Sequence, residues 1–241
     1  MSIHANLEPL VWDSQFFGLS TARLHFSSEA AVLTVADLDQ YALVQAKVAT
    51  QQTAILDELP TLGFSLVEGE VDLRLSIEAE SEVESIAGIH TGKELISAKQ
   101  KDIPVLKAVA ARVFTSSRFR APWYQPDDSG RFYAAWVEKA VLGTFDHECL
   151  LINDDHGQLA GFVTLRDLGN REARIGLLAA VPGNHRQGIG KKLMSAAQQW
   201  CQNHQIQGLR VATQISNITA LRLYTRRGAI IESTAYWLYR G

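Results

Sequence analysis

Two glycines, Gly188 and Gly190, point most directly to chemistry, because they follow a short apolar run and precede a segment with helical spacing. The apolar run, residues 178–181, predicts a strand, and Pro182 predicts a bend after it. At the start of a helix, free N–H groups and the positive end of the helix dipole attract anions, and glycine lets an anion approach the backbone closely. The segment therefore predicts a pyrophosphate site.

Two other phosphate-binding motifs and a plain turn are the alternatives for this glycine pair. A dinucleotide-binding fingerprint requires a third glycine three positions after Gly190, where the sequence has Leu193. A Walker A loop requires a serine or threonine after its lysine, but Lys191 is followed by Lys192. Neither motif fits, and a glycine pair that only shapes a turn stays open.

The segment resembles the signature of the Gcn5-related N-acetyltransferases (GNAT). In that signature a strand ends at a proline, and a glutamine or arginine stands three positions before a glycine pair that opens a helix. Here Pro182, Gly188 and Gly190 match, and His185 stands at the glutamine or arginine position. The resemblance implies acetyl-coenzyme A as co-substrate, with its pyrophosphate on main-chain amides. The implied binding residues are Leu178, Ala179, Ala180, Val181, His185, Arg186, Gln187, Gly188, Ile189, Gly190 and Lys191.

A second motif, Asn217, Ala220 and Tyr224 followed by Gly228, resembles the family segment N-x-x-A-x-x-x-Y-x-x-x-G. This spacing places the first three residues on one side of a helix, with Asn217 as N-cap. The resemblance implies that Asn217, Tyr224 and Arg227 contact the cofactor and that Tyr224 is the general acid. A phenol with an ordinary pKa of about 10 is protonated at neutral pH, which suits that role. The alternative is an ordinary tyrosine at the edge of the core.

Three further segments extend the resemblance to the whole chain: VEGEVDL at 67–73, LRVATQ at 209–214 and ESTAYWLYR at 232–240. They resemble family members that acetylate a nucleotide sugar of enterobacterial common antigen synthesis. The implied acceptor is the amine of dTDP-4-amino-4,6-dideoxy-D-galactose. Two other functions stay open. In the first, the chain acetylates a different amine, such as a protein N-terminus, a lysine, an antibiotic or a polyamine. In the second, it binds acetyl-coenzyme A without turnover.

Acetyl transfer to an amine needs a group that accepts the amine's proton, and Glu68 is the candidate base. A carboxylate in a partly desolvated cleft has a raised pKa, which moves it toward the working range of a base. A water relay and the histidines His147, His156 and His185 are alternatives. A further alternative is that Glu68 has no catalytic role and only belongs to the solvated face of a strand.

A basic and aromatic group in and after the irregular segment 116–130 is the candidate acceptor site. Guanidinium groups bind diphosphates through paired hydrogen bonds and stack on aromatic rings, so the group suits a nucleotide-sugar diphosphate and its thymine. Solvated arginines and core aromatics are the alternative. The candidate residues are Arg118, Arg120, Tyr124 and Tyr133.

Composition argues against several other classes of function. The net charge of −3 and the pI of 6.2 give no support to nucleic-acid binding. Cys149 and Cys201 lie in apolar segments without the spacing of metal ligands, so we expect two core thiols and no metal site. No run approaches the about 18 apolar residues of a membrane span, and the start lacks a secretory pattern. We expect a cytoplasmic protein that is not embedded in a membrane.

The order of elements indicates an α/β (α+β) protein, and the resemblance implies the GNAT acyltransferase fold, a mixed, mostly antiparallel sheet flanked by helices. We expect a smaller N-terminal α/β domain at residues 1–96, which contributes to the acceptor site, and a catalytic domain at residues 97–241. In the first domain, residues 38–59 carry a helical stripe and residues 64–73 alternate as a strand. Residues 77–101 predict a linker.

In the second part, hydrophobic periodicity predicts four helices and five strands. The final strand, which ends in Tyr236, Trp237, Leu238 and Tyr239, is a candidate wall of the cleft or of a homodimer interface. The helices are expected at 106–114, 132–141, 188–204 and 218–227, and the strands at 148–152, 159–165, 174–181, 209–214 and 235–239.

Overall fold

A computed structural model describes residues 2–77, 95–183 and 188–241. Ten strands in these residues form one sheet. They are β1 (Ala5–Pro9), β2 (Thr21–Phe26), β3 (Leu43–Ala49), β4 (Ser65–Ser76), β5 (Ile96–Ser97), β6 (Glu148–Asn153), β7 (Leu159–Gly169), β8 (Glu172–Ala180), β9 (Gly208–Gln214) and β10 (Ile230–Arg240).

The strands lie in the order β1-β2-β3-β10-β4-β9-β8-β7-β6-β5. The pairs β2–β3 and β8–β9 are parallel, and the other pairs are antiparallel. The predicted mixed, mostly antiparallel sheet is therefore confirmed. The last strand, β10, lies between β3 and β4, so the C-terminal strand is inserted between two strands of the N-terminal part while β1 forms one edge of the sheet. The division into 1–96 and 97–241 stays a prediction, and residues 78–94 of the expected linker lie outside the described residues.

Helices cover both faces of the sheet. They are α1 (Val11–Phe17), α2 (Val35–Leu38), α3 (Thr53–Glu58), α4 (Ile103–Val113), α5 (Asp128–Val141), α6 (Ile189–Asn203) and α7 (Ile218–Thr225). One face of β6–β8 packs against α4 and α5, and the opposite face packs against α6. None of the helices in the described part of the chain has the length and apolar character that crossing a bilayer requires.

The apolar stripe of α6 explains why this segment is a helix that lies on the sheet. Ile189, Leu193, Ala197 and Trp200 recur at helical spacing and are all buried. Together with the strands beneath them they form the largest core cluster. Local periodicity predicted this helix at 188–204, and the structure confirms it.

The predicted helix at residues 38–59 is wrong. The structure has α2 ending at Leu38, then the strand β3, then the short helix α3. In β3, Val44, Ala46 and Val48 face one core cluster while Leu43 packs in another on the opposite side. A strand that is buried on both faces has a nearly continuous apolar run, which periodicity alone does not separate from a buried helix.

Replacing Leu193 by alanine should destabilise the protein. Leu193 is fully buried between α6 and the sheet, so the shorter side chain loses apolar contacts and leaves a cavity. We expect the free energy of unfolding to fall by about 2–5 kcal/mol in urea denaturation. Leu142, whose side chain is 45% exposed, provides a matched Leu→Ala control that should change it by less than about 1 kcal/mol. Equal effects at the two positions would contradict this packing.

Candidate active site

The two parallel strands β8 and β9 separate part-way along their length. They pair from Glu172 and Gly208 up to Ile175 and Val211, where the pairing ends although β8 continues to Ala180 and β9 to Gln214. The gap between the diverging strands opens into a cleft of about 1030 Å³. The splay therefore exposes backbone of both strands to a bound molecule.

An irregularity in β8 marks the point of separation. On β7, Val163 and Leu165 pair with Leu178 and Ile175, so Gly176 and the next residue stand opposite Thr164 alone. Such a β-bulge bends the strand that carries the extra residue. Before it, Ile175 packs in the cluster under α6, and after it Ala179, of the same parity, packs in the cluster under α4 and α5. The bulge thus reverses the faces of β8 at the mouth of the cleft.

A buried polar group holds this bulge. The amide of Leu177 donates to Thr164 Oγ1 at 2.8 Å, and the Thr164 hydroxyl donates to Asp146 Oδ2 at 2.6 Å. Asp146 is fully buried and also accepts from Trp136 Nε1 at 2.8 Å. A side chain at Gly176 would lie 2.3 Å from Asp146 Oδ2. Glycine at this position therefore makes room for the carboxylate.

Two amides of β8 point into the gap. Leu177 and Val181 donate toward β7. Because successive amides of a strand point to opposite sides, those of Leu178 and Ala180 point toward the side that β9 has left. Both residues line the cleft, whereas Ala179 faces the core and Val181 lies beyond the lining. The predicted strand thus supplies two donors to the cleft.

The N-terminus of α6 lies at the same cleft. Gly188 has φ +69°, in the left-handed region that favours glycine, and an added Cβ would meet nothing within 4 Å. The first intrahelical bond runs from the Lys192 amide to the Gly188 carbonyl, so the amides of Ile189, Gly190 and Lys191 have no intrahelical acceptor. Gly188 and the three residues with these free amides line the cleft. The predicted contacts His185, Arg186 and Gln187 lie outside the described residues.

Gly190 has a packing reason as well, because an added Cβ would lie 3.1 Å from Leu223 Cδ2 of α7. The two helices are joined again where Arg227 donates to the Lys191 carbonyl at 2.8 Å. Arg227 does not line the cleft. The structure therefore places this predicted cofactor contact as a link between α6 and α7.

The second motif forms a capped helix, as its spacing predicts. Asn217 Oδ1 accepts the amide of Ala220 at 3.2 Å, and its side-chain amide donates to Thr213 Oγ1 at 3.1 Å. Tyr224 lines the cleft and is 5% exposed. Burial raises the pKa of its phenol above the usual value, so Tyr224 is protonated throughout the neutral range. Gly228, with φ +88°, follows the end of the helix.

Glu68 and Glu70 both reach the cleft, because residues two apart on a strand share a face. Burial, aided by the negative charge of Glu70, raises the pKa of Glu68 to about 7 against the opposing effect of Arg118. Burial also acts on Glu70, but hydrogen bonds from Lys47 and Trp237 outweigh it and lower the pKa of Glu70. The two carboxylates therefore differ in protonation near neutrality.

Two of the four predicted acceptor residues line the cleft. Arg118 lies 4.0 Å from the ring centroid of Trp237, and its guanidinium donates to Tyr239. Tyr133 hydrogen-bonds Ser117 at 3.1 Å. Tyr124 is buried behind the wall and accepts from Gln45 at 2.9 Å, and Arg120 donates to the Val67 carbonyl at 3.1 Å. The structure does not bring Arg120 and Tyr124 to the cleft.

Several residues at the cleft were missed by the sequence analysis. Glu70 stands two residues after Glu68, and the period of two in a strand gives it the same orientation as Glu68. Trp237 lies in the strand that was proposed as a cleft wall, and it does line the cleft. The others carried no local signal, since they reach the cleft only through the sheet order and the bends after β9. They include Arg166, Arg174, Gln214, Ser216, Thr219 and Arg226.

The two cysteines are core residues. Cys149, on β6, packs under α4 and α5, and Cys201 lies on the buried face of α6. Burial raises the pKa of each thiol to about 12, so neither is a thiolate at neutral pH. Within the described residues, no cluster of three or more histidine, cysteine, aspartate or glutamate side chains has the arrangement of a metal site.

Comparison with known proteins agrees with this geometry. The model of the acetyltransferase (GNAT) family matches residues 111–229. The chain is 47% identical over 240 residues, and over the full length of both proteins, to dTDP-fucosamine acetyltransferase of Escherichia coli O6:H1. It is 25% identical over 130 residues to streptothricin acetyltransferase A of Bacillus subtilis, covering 52% of this chain and 69% of that one.

A solved structure supports the fold. The GCN5-related N-acetyltransferase of Sphaerobacter thermophilus matches with a TM-score of 0.57 at 13% identity. The match covers 83% of this chain and 59% of that one. At this identity the similarity concerns the fold alone.

Replacing Thr164 by valine should destabilise the bulge. Valine has nearly the same shape but removes the hydroxyl, so the buried Leu177 amide loses its acceptor and Asp146 loses a donor. We expect the free energy of unfolding to fall by about 1–3 kcal/mol in urea denaturation. Thr164→Ser keeps the hydroxyl and should recover most of the loss. A valine variant as stable as the wild type would show that the hydroxyl does not hold the bulge.

Proposed function

The chain belongs to the acetyltransferase (GNAT) family, and on this premise we propose that it transfers the acetyl group of acetyl-coenzyme A to the 4-amino group of dTDP-4-amino-4,6-dideoxy-D-galactose. The observation that carries the acceptor is the 47% identity to dTDP-fucosamine acetyltransferase over the whole of both chains. We place the product in enterobacterial common antigen synthesis. We also propose a cytoplasmic location, because acetyl-coenzyme A and dTDP sugars are metabolites of that compartment, and we retain the homodimer as a prediction.

We assign the pyrophosphate of coenzyme A to the N-terminus of α6. Three amides without intrahelical acceptors and the helix dipole favour an anion there, and Gly188 leaves the approach open. Asn217 and Lys191 line the same part of the cleft. The inward amides of Leu178 and Ala180 suit the pantetheine arm and the thioester carbonyl, so the acetyl group lies in the splay between β8 and β9.

Three groups of the chain then share the chemistry. Glu68, with a pKa of about 7, accepts a proton from the sugar's ammonium group so that the free amine attacks the thioester carbon. The amides of β8 stabilise the negative charge that develops on the carbonyl oxygen. Tyr224, kept protonated by burial, donates its proton to the sulfur as the carbon–sulfur bond breaks, and the second proton on the nitrogen then passes through water to the Tyr224 phenolate, which leaves a neutral amide.

Glu68 is a better candidate base than the histidines. His147 Nδ1 accepts the Asp167 amide at 2.9 Å and lies outside the cleft lining, as does His156, while His185 is outside the described residues. A water between Glu68 and the amine is compatible with this assignment, since proton transfer through one water is still general base catalysis.

Acceptor profiling tests the proposal. Purified protein and acetyl-coenzyme A are mixed with the dTDP amino sugar, a lysine peptide, streptothricin or a polyamine, and free thiol is measured. We expect thiol release with the nucleotide sugar at a kcat/KM at least about tenfold above the other amines. Preference for another amine would reject the acceptor while leaving the family intact. Tight cofactor binding without any turnover would favour the non-catalytic alternative.

Replacing Tyr224 by phenylalanine should slow the reaction. The variant keeps the ring packed between α7 and the core but lacks the proton for the leaving thiolate. We expect kcat to fall by about 10²- to 10⁴-fold in the thiol-release assay, with little change in the affinity for acetyl-coenzyme A. Tyr41→Phe in the distant N-terminal cluster is the matched control. A Tyr224→Phe variant with wild-type kcat would remove Tyr224 from the mechanism.

The reaction rate should depend on the protonation of Glu68. A base must be deprotonated, so kcat/KM should rise with pH below about 7 and level off above it. Glu68→Gln should lower kcat by about 10²- to 10⁴-fold and abolish this inflection. The pH profiles of wild type and variant, measured with the same acceptor, separate Glu68 from the titration of the amine itself. An unchanged inflection in the variant would exclude Glu68 as the base.

A further inference from the structure

Two guanidinium groups beside Trp237 have no carboxylate in contact with them: Arg118 lines the cleft, and Arg23 lies next to the cleft wall without lining it. Arg118 donates to the neutral side chains of Gln45 and Tyr239. The side chain of Arg23, on β2, makes no hydrogen bond or ion pair with any residue in the described ranges, and its Nε is buried without a partner. The ion-paired arginines of the sheet, such as Arg74 and Arg174, each contact a carboxylate. The local positive charge at Arg23 and Arg118 is therefore not neutralised by direct contact.

The two groups also act on each other. Burial lowers the pKa of Arg23, and the like charge of Arg118 lowers it further. The negative charge of Asp13 on α1 acts on the pKa of Arg23 in the opposite direction, but Asp13 forms no ion pair with either arginine, and burial raises its own pKa. A buried pair of like charges is relieved by an anion that accepts hydrogen bonds from both.

Three cationic side chains lie near the aromatic ring of Trp237. Arg118, Arg23 and Lys47 lie 4.0, 5.3 and 5.7 Å from the ring centroid. Lys47 is bound to Glu70, which leaves the two arginines as the uncompensated charges. Since Trp237 lines the cleft, this positive region is continuous with the proposed active site.

The strand order places the two arginines on one side of Glu68. Glu68 of β4 pairs with Trp237 of β10, and Trp237 pairs with Lys47 of β3. Gln45, two residues before Lys47 on the same strand, pairs with Arg23 of β2. Strands lie about 4.8 Å apart, so three steps span roughly 14 Å, less the reach of the long side chains. In a 4-amino pyranose, the amine and the anomeric phosphate lie at opposite ends of the ring. With its amine at Glu68, an acceptor whose anomeric end points across β10 and β3 toward β2 brings its diphosphate to the two arginines.

We propose that Arg23 and Arg118 bind the diphosphate of the nucleotide-sugar acceptor. This inference rests on the proposed function, because it takes the acceptor to be a sugar nucleotide. It replaces Arg120, which the sequence suggested beside Arg118 and which is committed to the backbone of Val67 and Ala121. Arg118 would serve both the diphosphate and the proposed base, since its positive charge also lowers the pKa of Glu68.

Equilibrium binding of dTDP, dTMP and thymidine to wild type and Arg23→Gln tests the site without turnover. Loss of a charged hydrogen-bond donor should weaken dTDP binding by about 10- to 100-fold and leave the weak thymidine affinity unchanged. The KM for the dTDP amino sugar should rise by a similar factor while the KM for acetyl-coenzyme A stays constant. Arg112→Gln, at an exposed position on α4, is the matched control and should bind dTDP as the wild type does.

Arg23→Lys keeps the charge but not the planar fork, and it should retain part of the dTDP affinity. It serves as the second variant if Arg23→Gln does not fold. Folded Arg23 variants that bind dTDP within twofold of the wild type would overturn the diphosphate site, even if the sugar is acetylated. A wild-type protein that neither binds dTDP nor acetylates the sugar would instead overturn the proposed function, and the diphosphate site with it.

Discussion

The separation of β8 from β9 is the feature on which the rest of the site depends. Without it, the amides of Leu178 and Ala180 would bond to β9 and no cleft would open in the sheet. The bulge at Gly176 bends β8 at the residue where the pairing with β9 ends. The bulge takes the Leu177 amide out of the regular ladder, so this amide donates instead to the Thr164 hydroxyl, which in turn donates to Asp146. A buried carboxylate and a glycine without a side chain therefore act together to keep the strands apart.

The other elements place groups around this opening. Gly190 lets α7 approach α6, and Arg227 ties the two helices at the Lys191 carbonyl. Tyr224 is thereby held at the same cleft as the free amides of α6. On the other side, β10 inserts between β3 and β4 and brings Trp237 beside Glu68. The proposed cofactor half of the site comes from residues close in sequence, and the proposed acceptor half comes from strands far apart in sequence.

This difference explains which parts the sequence could predict. The glycine pair, the capped helix at Asn217 and the strand before Pro182 are local patterns, and the structure forms each element where they indicate. The acceptor side was predicted only in part, because Arg23, Lys47 and Trp237 become neighbours through pairings across β2, β3 and β10. The misassigned helix at 38–59 has the same origin. Burial of β3 on both faces is a property of the sheet, and a window of sequence does not contain it.

Glu68 and Glu70 show how environment separates two identical side chains. They share one face of β4, and both are partly desolvated, so burial favours the neutral form of each carboxyl group. Glu70 receives two hydrogen bonds, from Lys47 and Trp237, which stabilise its charged form. Its retained charge then adds to the desolvation of Glu68, whose pKa reaches about 7. The anchored carboxylate of Glu70 thus helps to raise the pKa of Glu68, the proposed base, and β4 carries both residues on one face because a strand repeats its faces every second residue.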